Sequence, residues 1–531
     1  MLQDNLLLIL SLLFAVSMLS MVSNKLGISY PIFLVIAGVS IGFIPAIPDI
    51  TLKPDIIFLI FLPPLLYAGA WNTSWKTFWE LRRPIGLLSI GLVIFTSTAV
   101  AFISTWLIPG FPLAYGFLLG AIISPPDAVA ATSVLQGLNV PKKISAILEG
   151  ESLVNDASSL IVFRFAIAAI LTGQFNLFEA STQFLLVAGM GLAIGVAIAF
   201  LIYILHRFLP TTPSIDTGLT LISPYIMYIL AEHFHFSGVM AVVSGGLFLS
   251  FRSHEIFAYD SRIQAYSFWE AITFLLNGVV FILLGLQLPI VLKNLGEQSL
   301  GLTIAIGLFI SVITILIRII WVVPGAYIPR WLSARIRKRE PDPGIKNVFL
   351  VAWSGMRGVV SLAAALAVPL TLPGGQPFPH RNLILLISFI VIMVTLVIQG
   401  LSLPWVIRKL KISSDDAAEK EQEMEIKLAL AMAALDHLKT NYANEVKTID
   451  AFQRMYDRYQ RMADISAKKL LSDDPEQETP DFLPAYRKML LELVDIRRER
   501  LLTLKNERKM PDELLRNKEW ELDLEEARLN E

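Results

Sequence analysis

Gly150-Glu151-Ser152-Leu153-Val154-Asn155-Asp156 sets two carboxylates, a hydroxyl and an amide between apolar runs at 144–148 and 160–171. At helical spacing Ser152 and Asp156 share one face, and Glu151 and Asn155 share the neighbouring one. A charge inside a membrane span is costly, so an intramembrane carboxylate marks function by default. Clustered oxygen ligands suit a hard cation such as Na⁺, or a proton.

The surrounding composition places this segment in lipid. The chain has 531 residues, 55% of them hydrophobic and only 17% charged. Its mean hydropathy is +0.62. Soluble domains carry about a quarter charged residues, so the chain reads as an all-α polytopic membrane protein with the bilayer as its partner. The near-neutral net charge conceals an asymmetry. Residues 1–411 are apolar and read as a transmembrane domain. Residues 412–531 are dense in charge and read as a helical cytoplasmic domain. The absence of cysteine excludes disulfides and thiolate chemistry. The N-terminus lacks a basic n-region and reads as a retained first span.

A span needs about 20 mostly apolar residues. Thirteen segments qualify, at 4–22, 28–47, 54–70, 84–107, 112–136, 149–173, 182–207, 216–235, 236–251, 268–292, 300–328, 346–370 and 382–408. With thirteen, one set of alternate loops carries nearly all the basic residues, among them Lys76, Arg82, Arg83, Lys142, Lys143, Arg330, Arg335, Arg337 and Lys338. The other set carries only Lys53, Lys293 and Arg381. Merging 216–235 with 236–251 scatters the basic residues onto both sides. The positive-inside rule therefore favours thirteen spans, with the N-terminus outside and the C-terminus in the cytoplasm.

Two spans contain interruptions. The fifth holds Ser124-Pro125-Pro126-Asp127-Ala128. Read as a helix start, it has Ser124 as N-cap, Pro125 at N1 and Asp127 at N3, where a negative charge complements the helix dipole. Irregular backbone at that depth lines a cavity. The twelfth span holds Trp353-Ser354-Gly355-Met356-Arg357-Gly358. The two interruptions lie seven spans apart, and an odd offset reverses helix direction. That is the layout of inverted six-helix repeats, spans 1–6 against 8–13, which in transporters brackets the binding site.

Arg357 requires a partner at membrane depth, and Glu151 is the nearest carboxylate in depth. That pairing leaves Asp156 without a counter-ion. A buried carboxylate with no counter-ion is costly as a bare charge, so it takes up either a proton or a cation. Arg164 and Arg318 also lie inside spans, and snorkelling competes with function for both. Glu232 sits at the join of spans eight and nine, beside His233 and His235, whose spacing does not suit a metal site. Thr132 can line the cavity or pack between helices.

Taken in order, these blocks resemble the monovalent cation/proton antiporters of the first cation–proton antiporter class. The match rests on 150–156, Asp127 upstream, and Gly355-Met356-Arg357-Gly358. It is extended by Phe61-Leu62-Pro63-Pro64-Leu65-Leu66, Ala231-Glu232 with Ser237-Gly238, and Gly285-Leu286-Gln287-Leu288-Pro289. The resemblance implies a homodimer, crossed broken helices and alternating access. It implies that Asp156 is the carboxylate that binds Na⁺ or a proton, with Asn155 as its structural neighbour and Asp127 upstream, and a structural Glu151–Arg357 ion pair; Ser124, Ser152 or backbone carbonyls are the candidate ligands in place of the side chain that Pro126 replaces. Asn155 before Asp156 implies electroneutral one-for-one exchange. Two positions depart from the family pattern. Ala68 stands where many relatives have an acid, and Pro126 where many have Thr or Val.

The expected function is therefore export of cytoplasmic Na⁺ against external H⁺ across a bacterial-type inner membrane. No cofactor beyond the transported ions is expected, no enzymatic activity and no nucleic-acid partner. K⁺ or broad monovalent selectivity is the nearest rival. A channel, or a sensor with the tail as output, are rivals from other classes. In the tail, 426–438 and 482–504 read as amphipathic helices, with breaks at 472–476 and 510–512.

Overall fold

The computed structural model describes residues 2–45, 57–136, 138, 140–173, 177–293, 300–340, 342–372, 375–412, 416–471, 482–506 and 512–530. Among them there is no strand, only an isolated bridge between Thr371 and Pro377. Lys53, residues 46–47 and 54–56 of the second and third predicted spans, and the predicted tail breaks at 472–476 and 510–511 lie outside the described residues. Two compact units emerge, Met1–Ser414 and Asp415–Glu531.

The first unit begins with α1 (Leu2–Leu26), α2 (Tyr30–Gly42), α3 (Leu62–Asn72), the short α4 (Trp75–Glu80) and α5 (Arg82–Gly86), and α6 (Val93–Leu107). It continues with α7 (Leu113–Ile123), α8 (Ala128–Leu135), α9 (Lys142–Thr172), α10 (Leu177–Phe208), α11 (Pro213–His233), α12 (Gly238–Ile256) and α13 (Tyr259–Lys293). It closes with α14 (Leu300–Leu332), α15 (Ala334–Arg339), α16 (Ile345–Trp353), α17 (Val359–Leu366), α18 (Arg381–Val394) and α19 (Gly400–Leu410). Among the described residues, nine helical stretches are long and apolar enough to cross a membrane. The second and third predicted spans hold shorter apolar helices, Tyr30–Gly42 and Phe58–Asn72. The ninth and twelfth hold α12 and the interrupted pair α16 and α17. The abutting eighth and ninth segments are separate helices. α11 ends at His233, and α12 starts after Ser237, whose hydroxyl accepts the Met240 N–H at 3.2 Å.

Of three π-helical turns, Ile57–Phe61 leads into α3, Leu87–Leu92 joins α5 to α6, and Thr395–Gln399 joins α18 to α19. Such turns widen a helix locally and concentrate at functional sites.

The apolar side chains form two cores. One gathers residues of α1, α2, α6 to α8, α13, α14 and α16 to α19, including Leu118, Phe281 and Ile387. The other gathers α3, α10, α11 and α12, including Tyr67, Met227 and Val242. α9 is the seam. Its Ile144, Leu148 and Ala166 join the first core, whereas Leu153 and Ala157 join the second. Asp156 lies between those last two. α9 starts after Pro141 and stops at Gly173, whose φ of 71° is the left-handed cap conformation that glycine adopts without strain.

In the second unit, α20 (Asp416–Asn441) and α22 (Asp450–Leu471) flank a short α21 (Ala443–Thr448) and pack through Ala431, Leu435 and Ala463. α23 (Phe482–Asn506) and α24 (Asp512–Asn530) are joined by charge. Arg498 reaches Asp523 and Glu526 at 2.6 Å each, and Arg497 reaches Glu525 at 2.7 Å.

Candidate functional site

The fifth span is broken where its sequence predicts, but the cap differs. Ser124 closes α7, and its hydroxyl donates back to the Ala121 carbonyl at 3.1 Å. Asp127 is the N-cap of α8 and accepts the Val129 N–H at 2.8 Å. The prolines explain the shift. Neither Pro125 nor Pro126 has an N–H to donate, so although Ser124 keeps α-region angles at the end of α7, helical hydrogen bonding resumes only after Asp127.

The twelfth span breaks at 354–358, and the two breaks meet. The Asp127 N–H donates to the Met356 carbonyl at 2.7 Å. Arg357 Nε donates to the Ile123 carbonyl at 3.0 Å, and Arg357 Nη1 donates to its own Gly355 carbonyl. The Arg357 N–H goes to Thr395 Oγ1 at 3.2 Å, on the π-turn of the last span. The Asp127 carboxylate collects backbone N–H groups from both half-helices, those of Val129 and Ala130 on α8 and of Val359 on α17. One carboxylate thus satisfies two helix N-termini at once, where the dipoles favour negative charge. Gly358 permits this, because a Cβ there would overlap the Asp127 carboxylate.

α9 packs its polar face against the first break. Ser152 Oγ accepts the Ala128 N–H at 3.3 Å, and Asn155 Nδ2 donates to the Pro126 carbonyl at 3.1 Å. These two contacts complete the backbone bonding that the prolines disrupt. Asn155 Oδ1 is buried without a partner among the described residues.

The expected Glu151–Arg357 pair is not formed. Glu151 is held by Arg318, with Nη1 to Oε1 at 2.5 Å and Nη2 to Oε2 at 2.7 Å. Arg318 also donates to the Val351 carbonyl, from Nη2 at 3.1 Å. Its path crosses Gly355, where a Cβ would overlap the guanidinium stem. Arg357 instead gives Nε and Nη1 to carbonyls freed at the two breaks, and its Nη2 is buried without a partner among the described residues. Depth along the sequence suggests Glu151 as partner, but the carbonyls of Ile123 at the end of α7 and of Gly355 in the second break accept from Arg357 instead.

Asp156 is 6% exposed. No hydrogen bond or ion pair reaches its carboxylate among the described residues, and Asp127 is close enough for its charge to be felt there. Of the other sequence candidates, Thr132 spends its hydroxyl on the Ala128 carbonyl at 2.9 Å. Arg164 and Glu232 pair with each other at 2.5 Å, and the second Glu232 oxygen accepts the Gly238 N–H at 3.0 Å. They join α9 to the start of α12 and are not bonded to Asp156. A buried pair beyond the sequence candidates, His206 Nδ1 to Asp216 Oδ1 at 2.9 Å, ties α10 to α11. Its signal was two polar residues flanking the short 209–212 turn. The sequence reading also passed over Gln399, buried on the last π-turn with neither amide atom partnered among the described residues.

Residues 9–409 match the family model described as sodium/hydrogen exchanger, transmembrane. A sodium, potassium, lithium and rubidium/H⁺ antiporter of Bacillus pumilus is 36% identical over 71% of this chain and 57% of its own length. The chain thus matches little more than half of that relative. An uncharacterised Na⁺/H⁺ exchanger of Mycobacterium tuberculosis is 32% identical over 98% of this chain and 95% of its own length. The Na⁺/H⁺ antiporter ApNhaP of Aphanothece halophytica is 32% identical over 78% of this chain and 76% of its length. In fold, the chain is similar to the sodium proton antiporter MjNhaP1 of Methanocaldococcus jannaschii, with TM-score 0.61 at 20% identity, covering 77% of this chain and 99% of that one.

Proposed function

The chain belongs to the transmembrane sodium/hydrogen exchanger family, and on that premise we propose that it is a secondary-active antiporter exchanging cytoplasmic Na⁺ for external H⁺ at Asp156. One observation carries the reading. Of the three carboxylates around the breaks, Glu151 is neutralised by Arg318 and Asp127 is spent on backbone N–H groups. Asp156 alone of the three has no partner among the described residues.

A buried carboxylate in that position is occupied by a proton or by a cation, and the two exclude each other. Proton entry from outside displaces Na⁺, the loaded site changes exposure, and Na⁺ entry from the cytoplasm displaces the proton. Asn155 Oδ1, Ser152 and Ser124 supply neutral oxygens to the cation, and Asp127 adds charge from the break. Because the one carboxylate binds a single positive charge in either state, H⁺ or Na⁺, the exchange is one for one and electroneutral. Alternating access is a movement of the broken-helix core against the α3 and α10–α12 core, with α9 at the seam; the division of apolar side chains into two cores supports it. Thirteen crossings, a homodimer, and a plasma-membrane orientation with the C-terminus in the cytoplasm complete the proposal.

The second reading is broad monovalent selectivity, favoured by the name of the Bacillus pumilus relative and by Ala68, which leaves α3 without a carboxylate at that position. Fluorescence dequenching in vesicles, with Na⁺, Li⁺ and K⁺ added in turn across a range of pH, separates the two. Na⁺ and Li⁺ responses without K⁺ support the first, and an equal K⁺ response supports the second. No response to any of them overturns antiport.

A further inference from the structure

α14 is 33 residues long, about 50 Å at 1.5 Å per residue. The hydrocarbon layer is about 30 Å thick, so the last turns of α14 emerge at headgroup level. There the chain turns at Ser333 into α15, and a cavity of about 590 Å³ opens, lined among others by Tyr327, Arg330, Trp331 and Arg337. Its rim is apolar, with Trp331 80% and Ile328 51% exposed, and Leu332, next to Trp331 in the chain, is 72% exposed. An exposed tryptophan at that level is an interfacial anchor.

The acids of the cavity are already engaged. The Glu340 carboxylate accepts from Arg83 through both oxygens, and the Glu340 carbonyl accepts Arg330 Nη2 at 2.8 Å. Asp342 accepts the Gly344 N–H at 3.0 Å and stands 3.8 Å from Arg330 Nη1. The Arg337 guanidinium has no hydrogen bond or ion pair among the described residues, and Arg335 and Lys338 flank it on α15. The positive charge is in surplus, and it borders an apolar rim.

We propose that this cavity holds the phosphate of an anionic phospholipid from the cytoplasmic leaflet. The Arg337 fork takes the phosphate, and the acyl chains lie along the exposed surface of Ile328 and Leu332. A soluble phosphate would use the cations and leave the apolar rim idle, which is why the lipid is preferred. The bound lipid clamps the end of α14, the helix that carries Arg318, to α15 and through Glu340 to Arg83 at the start of the fourth span. The leaflet assignment rests on the orientation proposed above, and the binding site itself does not.

The test uses the full chain in detergent, titrated with phosphatidylglycerol, phosphatidylcholine or inorganic phosphate, with thermal stability and native mass spectrometry as readouts. Phosphatidylglycerol should bind and raise the melting temperature, and phosphatidylcholine should not. Arg337→Ala with Lys338→Ala should weaken phosphatidylglycerol binding about tenfold, as expected for loss of one charge-assisted contact, and Arg337→Lys should restore part of it. Equal binding of both lipids, or undiminished binding by the double variant, overturns the proposal. So does a full stabilisation by inorganic phosphate alone. Because the chain has no cysteine, Arg335→Cys tests orientation separately: labelling from the outer face would reverse the leaflet and leave the lipid result standing.

Discussion

Glu151 and Arg318 form a two-pronged ion pair with both side chains fully buried, joining α9 to α14 across residues 167 positions apart. Removing one partner leaves an unpaired charge in the core. Arg318→Ala should therefore cost about 3–5 kcal/mol of stability, read as thermal unfolding in detergent. The double change Glu151→Leu with Arg318→Leu should recover much of that loss. If the double variant is as unstable as the single, the pair is not what fixes these two helices.

Asp127 should behave as a shared cap. Asp127→Ala removes the acceptor for both half-helices and should cost at least about 0.5–2 kcal/mol, the range for a single cap. Asp127→Asn keeps one acceptor oxygen and should lose less. Gly358→Ala should damage folding as much as Asp127→Ala, because the added methyl overlaps the carboxylate. Melting temperatures of the three variants decide it, and a normal Gly358→Ala protein would count against the crossing described here.

Acid stability should depend on Glu255, beyond the membrane end of α12. Its hydrogen bond from Arg252, at 2.6 Å, together with that from Tyr203, holds the carboxyl below the usual glutamate range; His254 adds to the pull. A depressed folded value means that the contribution is present above the unfolded value, about 4.3, and is lost as pH falls through the lower folded value. Glu255→Gln should thus flatten the fall in melting temperature below about pH 4.3 and leave its shape near neutrality unchanged. The same acid slope in both proteins would remove Glu255 from the account.

Exchange should be indifferent to membrane potential. Initial rates of Na⁺-driven proton movement in vesicles should match with and without a potential imposed by a permeant anion. A rate that follows the potential would require a second charge in the cycle, and Asp127 would be its source.

Much of this arrangement was legible in the sequence because intramembrane polar residues are so few. The break at Pro125-Pro126, the break at Gly355–Gly358 and the polar face of α9 all stand out against apolar surroundings. What the sequence hid was partner choice. Arg318 and Arg357 are both deep arginines, and only the folded backbone decides that freed carbonyls take N–H groups of one while Glu151 pairs with the other. The cap moved from Ser124 to Asp127 for a local reason, two missing N–H groups, which the sequence did contain. The His206–Asp216 pair depends on how α10 and α11 close their turn, and hydropathy carries no trace of that.

Asp156 is the carboxylate left over once Glu151 and Asp127 have taken their partners. Cation-dependent proton flux of the Asp156→Asn variant, in vesicles and across pH, tests that directly. The variant should be a folded protein of normal melting temperature with no flux at any pH with Na⁺, Li⁺ or K⁺. Exchange at the wild-type rate in that variant would contradict it.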